Sequence, residues 1–187
     1  MKPLEHFTEL QIEEFLKEFT SSNDRVLVIA FVSLLDASLS ELLRLHLLAS
    51  RKKDDELFDS NRPLASFAAK IDLAYRLRLI DGAFADALHC LRNIRNKYAH
   101  LVTPGELGSG KQGEFLQKAG TIFQKADAIW WNNPISESFL FRDICLHLLV
   151  KLGIGIEPSR KADFPIPLKP SNSEKEFFRL LAGKVSH

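Results

Sequence analysis

Apolar residues recur at three- and four-residue steps along most of this 187-residue chain, and this spacing limits the possible folds more than any other feature. Such a period places apolar side chains on one face of a helix, whereas a half-buried strand needs strict alternation, which does not persist here. The spacing predicts helices over 4–19, 24–49, 63–79, 83–99, 114–131 and 136–152, with a short last helix at 173–181. We therefore expect an all-α fold, an antiparallel bundle of about five to seven helices.

The composition divides the chain near residue 153. Gly153, Gly155 and the prolines between Pro158 and Pro170 are expected to end the last long helix, because proline cannot continue a helix and glycine weakens one. We expect a helical bundle domain over 1–153 and an extended, proline-containing tail over 154–187, whose short terminal helix packs on the body or on a partner. Within the bundle, segment 24–49 is apolar nearly all round in its first half, which predicts neighbours on several sides.

Composition excludes several classes of protein. The chain has 25 Lys and Arg against 24 Asp and Glu, a net charge of +1, so any nucleic-acid surface must be local. Cys90 and Cys145 lack neighbouring Cys or suitably spaced His, and the histidines are scattered, so we expect no disulfide, metal or other cofactor. The stretch from Gly105 to Gln112 departs from a P-loop, since Gln112 stands where Ser or Thr would bind magnesium.

The N-terminus does not resemble a signal peptide, and Asp36 interrupts the most apolar stretch before it reaches the length of a membrane span. The sequence thus predicts a cytoplasmic protein that does not enter the membrane.

The run from Arg92 to His100 is the main candidate site. At 100° per residue, Arg92, Asn96 and His100 share one flank of the predicted helix, whereas Arg95 projects close to its apolar stripe. A guanidinium beside an apolar face needs an acidic partner, because a buried unpaired charge is unfavourable. The structural ion-pair candidates are Asp36 and Asp72, lone carboxylates in apolar patterns. Arg95 is then either part of a buried ion pair or catalytic.

His100 ends the same predicted helix, where the negative pole of the helix dipole favours a protonated imidazole. The loop that follows, 102–113, contains Pro104 and four glycines, and we expect it to be mobile and to leave room for a ligand. The alternative is that His100 is a helix C-cap without another function.

Arg95-Asn96-Lys97-Tyr98-Ala99-His100 resembles the R-x-x-x-x-H signature of the HEPN clan. The preceding stretch from Asp59 to Ile80, which includes Arg62-Pro63-Leu64-Ala65-Ser66-Phe67, looks like the mannitol operon repressor (MltR-like) family of that clan. The similarity covers about residues 10 to 150 and stops before the proline-rich tail.

The resemblance implies an all-helical, usually dimeric protein with one of two kinds of function. In RNase members of the clan, arginine and histidine from two subunits meet in a cleft and cleave RNA without metal. By that pattern His100 would be the general acid/base, Arg95 the phosphate ligand and Asn96 a supporting donor. The MltR-like branch is instead associated with regulation of transcription, without a helix-turn-helix, through protein partners.

The residues give modest support to both functions. Residues 76–100 hold five Lys and Arg against two Asp, and within them Arg92 and Lys97 are candidate phosphate or RNA contacts. A solvated helix face would look the same. Sequence-specific DNA reading is not supported, because no recognition helix follows a tight turn. We therefore expect a homodimeric MltR-like regulator acting through protein partners; the alternative is a metal-independent endoribonuclease, toxin-like and with an antitoxin as its partner.

Overall fold

The structure is a computed structural model, which describes residues 23–51, 56–100, 105–128, 136–156, 165–172 and 174–176. The described residues form five α-helices and one turn of 3₁₀-helix, Glu56–Phe58. The α-helices are α1 Asp24–His46, α2 Phe67–Arg76, α3 Gly82–His100, α4 Gly110–Lys125 and α5 Glu137–Ile156. The predicted all-α bundle is confirmed. The helix predicted at 4–19 and the end of the one predicted at 173–181 lie outside the described residues.

Helix α1 is the central element and packs against α2, α3 and α5. It begins where the side chain of Asn23 accepts a hydrogen bond from the Val26 N–H, and it ends at His46, three residues before the predicted end. One face is not covered by the described residues: Val26, Ile29 and Leu34 are 52%, 37% and 39% exposed. The predicted neighbours on several sides of this helix are α2, α3 and α5, and this stripe faces none of them.

Helices α2 and α3 form a hairpin, which the short predicted connection between 63–79 and 83–99 favours, and the ends of α2 differ from the predicted ones. Helix α2 starts at Phe67 and not at Pro63, because the Ser66 hydroxyl accepts a hydrogen bond from the Ala69 N–H and caps the helix there. The apolar spacing of this segment predicts a buried face that includes Phe67, Ile71 and Tyr75; Tyr75 is 50% exposed, so the prediction is wrong for this residue. The stripe predicted on α3 is confirmed as buried along its whole length and consists of Phe84, Leu88, Leu91, Ile94 and Tyr98.

The last two helices also differ from their predicted bounds. Helix α4 runs over 110–125 where 114–131 was expected, and α5 continues through Gly153 and Gly155 to Ile156. A glycine inside a helix costs about 1 kcal/mol, which packing can outweigh. The buried residues around the end of α5, among them Leu152 and Gly155, supply that packing. The prediction that these two glycines end the helix is wrong.

Helix α1 is also long and apolar enough to cross a membrane, with a mean hydropathy of 2.0 over its best window, half of which is buried inside the fold. Core helices of soluble proteins meet the same two criteria, so this finding is weak support for a membrane span.

Candidate functional site

The candidate site lies on the last two turns of α3, and the helix fixes where each side chain can point. Ile94 and Tyr98 are buried, whereas His100 at the helix end is exposed. Arg95 and Asn96 are both partly buried. Among the described residues, no hydrogen bond or ion pair joins Arg95, Asn96 and His100 to one another. One copy of the chain therefore presents three separate polar groups at this end of the bundle.

The two candidate phosphate contacts, Arg92 and Lys97, are also partly buried. A guanidinium nitrogen of Arg92, Nη2, donates to the side-chain oxygen of Asn93 at 2.9 Å. The Nε of Arg92 is buried without a hydrogen-bond partner in the described part of the chain. A buried donor in that state is unfavourable, and an oxygen ligand reaching it would remove the penalty.

The predicted ion pairs of Arg95 are wrong. Asp36 on α1 pairs with Lys70 on α2, at 2.7 Å between Oδ1 and Nζ, and Asp72 on α2 pairs with His89 on α3, at 3.1 Å. Arg95 is only partly buried, so water can solvate its charge and no carboxylate is required. The sequence does contain a signal for the partner of Asp36. Lys70 lies among Phe67, Ile71 and Ala74 on the buried face of α2, where its charge needs a carboxylate.

The buried phenol of Tyr98 ties the end of α3 to the following loop. Its hydroxyl donates to the carbonyl of Gly105 at 3.1 Å. Burial first, and the nearby negative charge of Asp24 second, raise the pKa of Tyr98 to about 12, so the hydroxyl keeps its proton at neutral pH. The same side chain therefore anchors both the helix that carries His100 and the chain that leaves it.

Asp24, which the sequence analysis did not single out, joins three segments at this end of the bundle. It lies in the first turn of α1 and accepts hydrogen bonds from the Leu107 N–H at 3.2 Å and from the Ser138 hydroxyl at 2.7 Å. Leu107 is buried. One carboxylate thus holds the starts of α1 and α5 against the loop after α3, a long-range arrangement that local sequence does not reveal.

The segment from Gly105 to Gly113 makes close contacts at a few positions, although most of its residues are exposed; the mobility and the room for a ligand expected here stay predictions. A Cβ on Gly113 would lie 2.3 Å from the carbonyl oxygen of Gly108, and a Cβ on Gly108 would lie 2.6 Å from Glu137. Glycine is therefore required at 113, where two backbone segments approach closely, whereas at 108 the side chain of Glu137 would have to shift. Helix α4 already begins at Gly110. Residues 101–104, directly after His100, lie outside the described residues.

The described residues hold no group of three or more His, Cys, Asp or Glu arranged to bind a metal ion. The end of α3 presents the partly exposed guanidinium of Arg95, the carboxamide of Asn96 and the exposed imidazole of His100. Such groups can contact an anion, and acid/base chemistry at His100 would need a second group brought from elsewhere.

No family model, no curated protein and no solved structure matches this chain in the comparisons with known proteins. The resemblance to the MltR-like family and the HEPN clan consequently stays a prediction from the quoted residues.

Proposed function

We propose that this protein is a cytoplasmic, MltR-like regulatory module that acts through protein contacts and works as a homodimer, without reading DNA itself. The observation that carries the proposal is the apolar stripe of α1, which we define as Val26, Ile29 and Leu34. All three side chains are exposed, whereas the opposite face of the same helix is buried in the core. Exposed apolar patches on soluble proteins typically mark interaction surfaces.

The chemistry of the stripe favours a second copy of the chain as the partner. From Val26 to Leu35 the helix carries no charged residue, so the partner surface must also be apolar. The small residues Ala30, Ser33 and Ala37 lie on the same side of the helix and would allow two copies of α1 to approach closely. A net charge of +1 produces little repulsion between two copies.

Analytical ultracentrifugation tests this proposal. The parent chain should sediment as a dimer at micromolar concentration, and Ile29→Asp should sediment as a monomer, because a carboxylate at the centre of the stripe cannot be buried unpaired. Gln117→Asp, which adds the same charge at an exposed position of α4, is the matched control and should stay dimeric. A monomeric parent, or a dimeric Ile29→Asp, would show that the stripe is not the dimer surface.

A metal-independent endoribonuclease is the second candidate, and it is favoured by the lack of an ion-pair partner for Arg95 and His100 among the described residues. Arg95 has no carboxylate partner among the described residues, and His100 is exposed on the same helix end. Both groups are therefore available to a phosphate, and a dimer would supply the second copy of each.

RNA cleavage in the presence of chelator tests this candidate. The parent should cut RNA, and His100→Ala should lower the rate by about 100-fold or more, the usual contribution of a general acid or base. His89→Ala is the matched control, because His89 lies on the same helix but pairs with Asp72. A parent chain that leaves RNA intact as a purified dimer excludes the enzyme and leaves the regulatory proposal standing.

A further inference from the structure

The described part of the tail includes a short extended segment, which we call the strap and define as residues 165–170. Its side chains alternate: Ile166, Leu168 and Pro170 are buried, and Pro165, Pro167 and Lys169 are exposed. Three prolines in six residues hold the backbone extended, and each also restricts the residue before it. The strap therefore needs little additional ordering when it is bound.

The main chain of the strap is hydrogen-bonded at one edge to the α2–α3 turn. The Ile166 N–H donates to the Leu79 carbonyl at 3.0 Å, and the Asp81 N–H donates to the Ile166 carbonyl at 3.2 Å. The Leu168 N–H donates to Oδ2 of Asp81 at 3.0 Å. These contacts make an isolated parallel bridge between Ile80 and Ile166, the pattern of a peptide that adds to an exposed backbone edge.

Side chains of α5 bind the other carbonyls of the strap. Nε2 of His147 is 3.0 Å from the Leu168 carbonyl, and Nζ of Lys151 donates to the Lys169 carbonyl at 2.9 Å. Lys151 also pairs with Glu174 at 3.1 Å, just beyond the strap. Both α5 residues are almost completely buried. The strap is thus held by polar groups of the α2–α3 turn and of α5.

A shaped pocket receives the first aliphatic side chain of the strap. Ile166 lies on Gly155 so closely that a Cβ there would be 2.4 Å from its Cδ1 atom. The Cβ would also lie 3.3 Å from Cδ1 of Leu42 on α1. Glycine at 155 therefore leaves the space that Ile166 fills, at the cost of a weaker helix. Leu168, the second aliphatic residue of the strap, is also buried and has no exposed surface.

We propose that this groove between the α2–α3 turn and α5 is a peptide-binding site, which the strap occupies in cis. Its partner in trans is a protein segment of the same chemistry, extended, with aliphatic residues two positions apart and a proline two positions later. The groove recognises the strap by main-chain hydrogen bonds and alternate side-chain pockets, the means by which extended peptides are bound in general. The proposal rests on the proposed function only in naming a protein as partner, since the groove is separate from the stripe of α1.

Because the strap is tethered, it competes at a high effective concentration with any segment supplied in trans. The parent chain should therefore bind a free peptide weakly, and a full-length chain whose strap cannot enter its pocket should bind it well. Ile166→Glu produces that state, because a carboxylate cannot be buried in the apolar pocket against Leu42.

Fluorescence anisotropy with a labelled peptide of sequence PIPLKPSN tests the site. It should bind full-length Ile166→Glu saturably with one site per chain, and bind the parent at least about 50-fold more weakly. The control peptide PPIKLPSN, in which the isoleucine and the leucine each exchange places with the residue that follows, should not bind. Absence of saturable binding to a variant that still unfolds cooperatively, or equal binding of the two peptides, overturns the proposal.

Glycine variants in the Ile166→Glu chain locate the bound peptide. Gly155→Ala should weaken peptide binding at least about 10-fold, because its methyl group fills the isoleucine pocket. Gly120→Ala is the matched control, because a Cβ there would make an ordinary contact, 3.5 Å from Leu140. Equal effects of the two substitutions would place the peptide outside the groove.

Hydrogen exchange on the unmodified full-length chain supplies a test that needs no variant. The amides of Ile166 and Leu168 should exchange at least about 100-fold faster than that of Leu91 in the middle of α3, because the strap opens without global unfolding. Equal exchange rates would show that the strap is a fixed part of the core and would overturn the proposal. The hydrogen-exchange result does not change the sedimentation expected for Ile29→Asp. The proposed peptide-binding groove and the proposed dimer surface can therefore fail separately.

Discussion

Asp81 shows how much of this fold depends on one side chain. Its Oδ1 accepts the Phe84 N–H at 2.7 Å and so caps α3, while its Oδ2 accepts the Leu168 N–H of the strap. In the sequence, Asp81 and Gly82 predict only a turn. The second function of this carboxylate depends on a residue that lies 87 positions away, and local chemistry does not encode it.

Replacing Asp81 with alanine should lower the free energy of unfolding by about 2 to 4 kcal/mol. The lost cap accounts for about 1 kcal/mol, and the Leu168 N–H left without an acceptor accounts for the rest. Ser66→Ala removes a helix cap of the same kind from α2 without a second contact, and should cost about 1 kcal/mol. Urea denaturation of both variants measures the difference; equal losses would mean that the strap contact contributes nothing.

At the scale of elements, the contacts between α1, α2 and α3 include the Lys70–Asp36 ion pair and the His89–Asp72 contact, which have different surroundings. The side chains of Lys70 and Asp36 are 8% and 27% exposed, whereas that of Asp72 is 68% exposed. The spacing assigned both carboxylates to Arg95, whereas the structure pairs them with Lys70 and His89. Which cation each one meets depends on how the helices are rotated against one another, and a periodic pattern does not fix that rotation to within one residue.

Asp36→Ala should therefore destabilise the protein by about 3 kcal/mol, since it leaves the buried ammonium of Lys70 without its carboxylate. Asp72→Ala should cost less than about 1 kcal/mol, because water replaces the lost partner of His89. The double variant Asp36→Leu with Lys70→Met should recover most of the loss, because no charge then stays buried. Thermal and urea unfolding provide the measurements, and equal costs for the two single variants would contradict this assignment.

At the scale of the whole molecule, two groups on α5, the buried His147 and the partly buried Asp143, make stability depend on pH in opposite directions. Burial lowers the pKa of His147 to about 4, and burial raises the pKa of Asp143 to about 8. Oδ2 of Asp143 has no hydrogen-bond donor in the described part of the chain. The native protein therefore keeps both groups neutral near pH 7, while the unfolded chain ionises Asp143 there.

The sign of each effect follows from proton binding. Between pH 4 and about 6.5 the unfolded chain protonates His147 and the native chain does not, so this group makes stability rise with pH. Asp143 keeps its proton in the native chain up to about pH 8, so it makes stability fall as the pH rises from about 4 to 8. Of these two effects on stability, only that of Asp143 acts between pH 6.5 and 8.

From pH 6.5 to 8, Asp143 should lower the free energy of unfolding by about 2 kcal/mol, or the midpoint of thermal unfolding by roughly 4 to 8 °C. Asp143→Asn, which keeps the shape and cannot ionise, should remove this decrease and be more stable than the parent at pH 8. Circular dichroism melts at the two pH values make the comparison. A parallel decrease in parent and variant would show that another group is responsible.

The sequence by itself determined the helical class, the α2–α3 hairpin and the division of α3 into a buried stripe and a polar flank. These features follow from a period of 3.6 residues and from local capping, which neighbouring residues along the chain specify. Tertiary packing alone decided that Lys70, and not Arg95, pairs with Asp36, that α5 continues through Gly155, and that the tail fills a groove beside Asp81. Each depends on groups far apart in sequence, whose approach is set by the packing of whole helices and not by any local pattern.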